Sequence, residues 1–335
     1  MKTGQREYGL DAFKGILIVF VIISHFTWSP DERSNYLFPF WIDMAVPFFM
    51  LISGYLHAAS IERNNIECIE TAYELKHLIR KIIRYTVPFA IVYIIEMILY
   101  YLIRETTFSK LNYLFVFWRG GAGAGSYYWP VMIQLVFIFP IIYFIIKKNP
   151  VKGLFIILVA NALFEFTQRA YGVTENVYRL LVFRYLFAIG FGCFLFLYRK
   201  KINIFWYILL FVIGAIGIIA WRYCGKEPKI LIYWAGTNFV CSMFVMPVFA
   251  FIVRYLKGVK VPVLGVVGKA SYNIFLVQML LYDIPQEYIT QRIDSRGWHL
   301  VFNIVICIVV GVLFWVVEKS ITQKIIRMME HIWKK

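Results

Sequence analysis

"LDAFKGILIVFVIISHF", Leu10 to Phe26, is an apolar run that carries Asp11 and Lys14 at one end and His25 near the other. Its length decides the fold class, because about 20 apolar residues cross a bilayer as one α-helix. A basic flank before an apolar core also describes a signal peptide. No small-x-small cleavage site follows, however, and the core is long enough to span, so the stretch reads as a retained first helix.

The rest of the chain repeats that composition. Of 335 residues, 61% are hydrophobic, 19% aromatic and only 16% charged, far from the balance of a soluble domain. This is the composition of an all-α integral membrane protein. A net charge of +16 raises the question of nucleic acid. The basic residues nevertheless fall in short clusters between apolar stretches, where they set topology and meet anionic headgroups, so membrane lipids are the expected partner and nucleic acid is not. Cys68, Cys193, Cys224, Cys241 and Cys307 have no paired spacing and read as packing residues, with no metal site or disulfide framework.

Apolar windows fall at 10–28, 37–59, 85–103, 127–147, 151–168, 179–198, 203–221, 232–253, 264–283 and 299–318, which predicts about ten transmembrane helices in a single domain, 1–335. The separators "KHLIRKIIR", "KKNPVK", "YRKK" and "RYLKGVK" and the tail 319–335 are basic and share the side of the N-terminus. Roughly 23 Lys and Arg lie on that side against about 12 on the other, which predicts cytoplasmic N- and C-termini and a cell-membrane location. Residues 61–84 are expected as a cytoplasmic loop or surface helix. Residues 104–126, with "WRGGAGAGSYYW" (Trp118–Trp129), are expected as an extracytoplasmic loop, flexible at its glycines, whose spacing matches no phosphate-binding motif.

An ionisable group inside a span is costly and therefore a candidate for function. Lys14 and His25 are 11 residues apart, which is three helical turns plus about 20°, so they share one face at a separation of about 16 Å. Asp11 lies on the same face, three residues before Lys14, and is expected to support it. Asp43 in the next window should lie at the depth of His25, where a carboxylate would fix the imidazole tautomer. Ser53, before Gly54 and Tyr55, marks either close helix packing or a passage for a slender ligand. Arg80, Lys81 and Arg84 cluster at the mouth of the third span, where they either set topology or bind phosphates. Glu96, Gln134, Asn161, Glu165, Arg184, Asn238 and Gln278 would suit a hydrated cavity for a hydroxylated ligand. Glu165 and Arg184 would equally serve as a structural ion pair.

These stretches resemble the acyltransferase-3 membrane family. The first span is similar to its opening signature, a Leu-Asp pair, a cation and, after ten residues, a histidine, here Asp11, Lys14 and His25. "PFFMLISGYL" (Pro47–Leu56) resembles its Phe-Phe-x-x-Ser-Gly-Tyr segment, and "IRKIIRYTVP" (Ile79–Pro88) its basic motif before a proline, with Lys81 in place of an arginine. "YYWPVMIQLVFIFP" (Tyr127–Pro140) looks like its Trp-containing fourth span through Trp129. "LGVVGKASYNIFLVQ" (Leu264–Gln278) looks like its late Gly-x-x-Ser-Tyr segment, with Gln278 where many members have histidine, and "VVEKS" (Val316–Ser320) like its closing Glu-Lys-Pro, with Ser320 for the proline.

The resemblance implies transfer of an acetyl or other short acyl group from cytoplasmic acetyl-CoA to a hydroxyl of a cell-surface or lipid-linked glycan. His25 would be the base, assisted by Asp43. Lys14, Arg80, Lys81, Arg84, Ser53 and Tyr55 would hold the donor, and Glu96, Gln134, Trp129, Glu165, Arg184 and Gln278 the acceptor. The extended pantetheine arm of acetyl-CoA is comparable in reach to the roughly 16 Å between Lys14 and His25. A polytopic glycan or lipid transporter is the rival reading, although no internal repeat supports it. Oligomerisation is compatible with either.

Overall fold

The computed structural model describes residues 7–104, 109–198, 200, 202–225, 239–256, 258–283, 292–293 and 295–332, all helix, turn or loop. The first half contains α1 (Tyr8–His25), α2 (Pro30–Asn35), α3 (Ala45–Arg63), α4 (Ile69–Ala72), α5 (Leu75–Arg104), α6 (Lys110–Trp118) and α7 (Tyr128–Lys148). The second contains α8 (Pro150–Ala170), α9 (Glu175–Tyr178), α10 (Leu186–Leu197), α11 (Ile204–Ile218), α12 (Met246–Phe251), α13 (Pro262–Lys269), α14 (Ser271–Asp283) and α15 (Arg296–Ile332).

Among the described residues, seven helices are long and apolar enough to cross a membrane, or eight if α13 and α14, bent by 67° at Ala270, count as one span. Two further windows of the expected ten coincide with shorter apolar helices, Val182–Leu197 and Cys241–Leu256. Part of window 232–253, including Asn238, lies outside the described residues, as do 105–108 of the expected outer loop and 333–335 of the tail. The expected cytoplasmic segment 61–84 is divided: α3 runs on to Arg63, α4 is a single turn, and 75–84 are the first turns of α5.

Two helix pairs are brought to backbone contact by glycines that face each other's chain. A methyl on Gly54 would collide with the Ile189 carbonyl of α10, and one on Gly192 with the Leu51 carbonyl of α3. A methyl on Gly15 would strike Leu264 of α13, and one on Gly268 the Asp11 carbonyl of α1. Lipid tails supply no hydrophobic drive for helix association, so such close van der Waals approach is what holds spans together. The choice left open at Ser53-Gly54 is settled for the glycine, which packs. The core around these pairs is apolar, with Leu17, Ile22, Met50, Leu51, Leu135 and Phe139 each at most 1% exposed.

The bundle has two distinguishable ends. At the N-terminal end of α1, Tyr55 donates to Glu7 at 2.9 Å, and Arg80 of α5 pairs at 2.6 Å with Glu330 of α15. At the other end, Arg296 at the start of α15 binds the Glu32 carboxylate and the Thr27 carbonyl, tying α15 to the segment that leaves α1. The Arg296 hydrogen bond and the Ser29 N–H hold the Glu32 carboxyl down from 4.5 to about 2. That depressed carboxyl keeps the tie fully intact above pH 4.5 and loses it as pH falls towards 2.

Replacing Gly54 by Leu should force α3 from α10 and destabilise the protein by about 1–3 kcal/mol, read as a lowered unfolding midpoint in micelles. Gly265→Ala, where no heavy atom lies within 4 Å, should leave the midpoint unchanged or raise it. Equal midpoints for both variants would contradict the packing.

Candidate active site

His25 closes the last turn of α1, and the chain beyond it folds back over the end of the helix. Trp28 donates its indole N–H to the Ile23 carbonyl at 2.7 Å, and Arg33 donates to the Ser24 carbonyl at 3.2 Å. Arg33 also binds Asp43, which brings that carboxylate to the same guanidinium as the Ser24 carbonyl, next to His25 in the chain. The partner differs from the expectation: among the described residues Asp43 makes no hydrogen bond to His25 and is paired with Arg33. A guanidinium has several donors and can span a carbonyl and a carboxylate together, which an imidazole cannot. Arg33 and Arg179 both stand within electrostatic range of the His25 ring.

On its other side His25 meets the glycine loop that follows α6. A methyl built on Gly125 would lie 3.7 Å from His25 Nε2 and 2.7 Å from the Phe275 ring of α14. The glycine stretch, expected as a flexible hinge or loop, makes a set of specific hydrogen bonds here. Glu96 of α5, 2% exposed, accepts the Ala122 N–H at 3.2 Å and the Gly123 N–H at 2.9 Å. The loop is closed on itself by Gly121 N–H to the Val116 carbonyl at 2.9 Å and Ser126 N–H to the Gly123 carbonyl at 3.1 Å. Glu96 is therefore committed to the loop backbone, in place of the open acceptor cavity expected for it.

At the opposite end of the bundle lies a cavity of about 630 Å³ between α5, α14 and α15. Four cations line it, Arg80, Arg84, Lys319 and Arg327, with two carboxylates, Glu318 and Glu330. Glu330 occupies Arg80, while Glu318 accepts from Thr322 and, at 3.2 Å, from Asn273. Arg80 and Arg84 are four residues apart on one face of α5, so they enter the cavity together. Lys81 projects from another face, towards His57, and is absent from the lining. Lys14 is likewise absent from it and pairs with Asp11 at 2.9 Å. Lys319 and Arg327 are the cations that sequence reading passed over, since a basic tail also satisfies the topology rule.

A wall of rings joins this cavity to His25. Tyr272, in the cavity lining, packs edge-on to Tyr85 at 5.7 Å and lies 6.0 Å from Tyr128. Tyr128 is 5.0 Å from Phe275, the ring that abuts Gly125 beside His25. Ser53 lies close to the Tyr128 hydroxyl and so borders this wall. Tyr55 is turned away from it, to Glu7, Phe196 and Phe249.

The remaining polar candidates are dispersed. Gln134 spends both ends of its amide on the turn before α10, donating to the Leu180 carbonyl at 2.6 Å and accepting from Val182 N–H at 3.1 Å. That is a structural use, and it displaces the acceptor role expected of it. Glu165 accepts from the Tyr178 hydroxyl at 3.0 Å, and Arg184, fully buried, lies over the rings of Tyr185 at 4.5 Å and Tyr127 at 4.7 Å. Asn161 caps the Phe187 N–H at 2.9 Å. Trp129 stacks on Phe89 at 4.5 Å, and its indole N–H finds no acceptor among the described residues. Gln278 is fully buried with neither amide atom partnered among the described residues. It lies one turn from Phe275 and one turn from Tyr282, whose hydroxyl reaches the Ile22 carbonyl of α1 at 3.2 Å. Among the described residues no three His, Cys, Asp or Glu side chains converge as metal ligands.

In a double-mutant cycle of Arg33→Gln and Asp43→Asn, unfolding free energies should show a coupling of about 0.5–3 kcal/mol. Additive effects would mean that the pair does not hold the end of α1.

Residues 7–317 match the family model described as an acyltransferase domain, that of the acyltransferase-3 family. No curated protein and no solved structure matches the chain.

Proposed function

The chain belongs to the acyltransferase-3 family, and from that premise we propose that it moves an acetyl or other short acyl group from acyl-CoA to a hydroxyl of a cell-surface or lipid-linked glycan. The donor is acetyl-CoA, entering from the cytoplasm at the end of the bundle that carries both termini. The observation that carries the reading is the wall from the basic cavity through Tyr272, Tyr128 and Phe275 to His25.

The chemistry divides between the two ends. The nucleotide phosphates sit with Arg84, Lys319 and Arg327, and also with Arg80 once Glu330 yields it, because multiple cations at one cavity mouth suit a polyanion. The slender pantetheine arm follows the rings past Ser53. At the far end neutral His25 takes the proton of the acceptor hydroxyl as its oxygen attacks the thioester carbonyl. Arg33, fixed by Asp43, keeps the end of α1 and thus the ring in place. Arg184 and Glu165 lie on the same side as Arg179 and offer polar contacts to a sugar.

Incubating purified protein with radiolabelled acetyl-CoA and a panel of glycans should give labelled glycan. His25→Ala should lower that transfer by about 10²–10⁴-fold with an unchanged unfolding midpoint. Transfer by His25→Ala at the wild-type rate would sink the base assignment, and movement of glycan without label would mean a transporter.

Arg84→Ala combined with Lys319→Ala should weaken acetyl-CoA binding by about tenfold or more, as expected from removing two charge-assisted contacts. An unchanged dissociation constant would remove the cavity from the donor site.

A further inference from the structure

The acyl-transfer reading leaves one chemical need unmet, a donor for the negative charge that develops on the thioester oxygen. We propose that the glycine loop 119–126 is the oxyanion-binding element of the active site, with the Gly125 N–H as the donor and Glu96 as the positioning residue that holds the loop. The proposal rests on the acyl-transfer reading and deepens it.

Three observations converge on Gly125. The first is proximity, since a methyl there would stand 3.7 Å from His25 Nε2, so the backbone of Gly125 borders the space in which an attacked carbonyl must sit. The second is conformation. Gly125 has φ +91°, outside the range that L side chains adopt readily, and any side chain would also meet the Phe275 ring at 2.7 Å. The chain is thus brought against the reacting space at a point where only glycine fits. The third is hydrogen bonding. The N–H groups of Gly120, Gly121, Ser126 and Tyr128 go to nearby carbonyls, and those of Ala122 and Gly123 to Glu96. Gly125 is buried, yet among the described residues no acceptor takes its N–H. A buried amide without a partner is costly and rare, and a thioester oxygen bound beside His25 would supply the missing acceptor.

Glu96 explains how such a loop is kept in register. A carboxylate accepting two backbone N–H groups makes charge-assisted bonds, and it does so from α5, a long helix anchored elsewhere. Gly121 and Gly123 are required for that approach, because a methyl on Gly121 would lie 2.8 Å from Glu96 Oε2 and one on Gly123 3.2 Å from Oε1. The loop is therefore shaped around the carboxylate, and its far end is delivered to His25.

In the step itself the acceptor O–H gives its proton to His25 Nε2 while its oxygen bonds to the acyl carbon. The carbonyl π pair moves onto oxygen, and the resulting oxyanion accepts a hydrogen bond from the Gly125 N–H. As the tetrahedral intermediate collapses, the C–S bond breaks, the electron pair leaves with sulfur, and the imidazolium proton passes to the thiolate. The products are the ester and free CoA thiol, with no further reactant.

The test uses the full-length protein in nanodiscs, with wild type, Glu96→Gln, Glu96→Asp and Glu96→Ala assayed for label transfer, acetyl-CoA affinity and hydrogen exchange of the 119–126 amides. Glu96→Ala should cut kcat by about 10²-fold or more, the scale of losing one oxyanion donor. Acetyl-CoA affinity and the pH dependence of kcat/KM should stay at wild-type values, because neither the basic cavity nor His25 is altered. Loop amides should exchange faster in Glu96→Ala and Glu96→Gln, and Glu96→Asp should recover part of both protection and rate. Faster loop exchange with an unchanged kcat would overturn the oxyanion role. Unchanged exchange would overturn the anchoring by Glu96, and a parallel fall of donor affinity and kcat would mark Glu96 as merely structural. Wild-type protein that protects the loop but transfers no label would instead overturn the acyl-transfer reading, and the catalytic role of the loop with it.

Discussion

Every polar group placed in hydrocarbon must find its partner within the protein, since an unmet hydrogen bond there costs several kcal/mol. That constraint organises this molecule. The regular parts of the spans meet it by helical hydrogen bonding, and the irregular parts, the segment after α1 and the glycine loop, meet it by borrowing buried side chains. Arg33, Asp43, Glu96 and Gln134 each satisfy backbone groups or one another close to His25 or to the turn before α10. Polar residues within the spans therefore form two populations, those that satisfy the irregular backbone and those, such as Gln278, whose polar atoms find no partner among the described residues.

Close helix contact makes this arrangement rigid enough to matter. Glycines press α3 against α10 and α1 against α13 until backbone meets backbone. The contact of α1 with α13 fixes the helix that carries His25 relative to the bent α13–α14 pair, which brings both Tyr272 and Phe275. The proposed donor route between the two ends of the bundle would thus depend on the fit of small residues between α1 and α13.

The parts of the site legible in the sequence were those that composition makes conspicuous. His25 is conspicuous because ionisable groups are rare in apolar spans, and the spans themselves because apolar length is a strong signal; Lys14 is equally conspicuous, yet it pairs with Asp11 away from the basic cavity. The three-residue basic cluster before Pro88 was legible as a cluster, but only helix geometry separates Arg80 and Arg84, which share a face, from Lys81, which does not. Phe275, Tyr128 and Tyr272 were indistinguishable from core, since aromatic residues are common throughout this chain. The pairing of Asp43 with Arg33 is not legible in the sequence, because Arg33 lies in a short polar segment with no periodic pattern. The anchoring of the glycine loop is not legible in the sequence, because Glu96 is distant from it along the chain and belongs to another helix.

The central claim is that one donor molecule reaches from the basic cavity to His25 along the Tyr272–Tyr128–Phe275 wall. Its most direct test is photolabelling with an acyl-CoA whose acyl terminus carries a diazirine, followed by peptide mapping. Label is predicted in the peptides containing Gly125, Tyr128 or Phe275, and excess unlabelled acetyl-CoA should suppress it. Label confined to peptides around Arg80, Lys319 and Arg327 would place the acyl group at the same end as the cations and contradict the account.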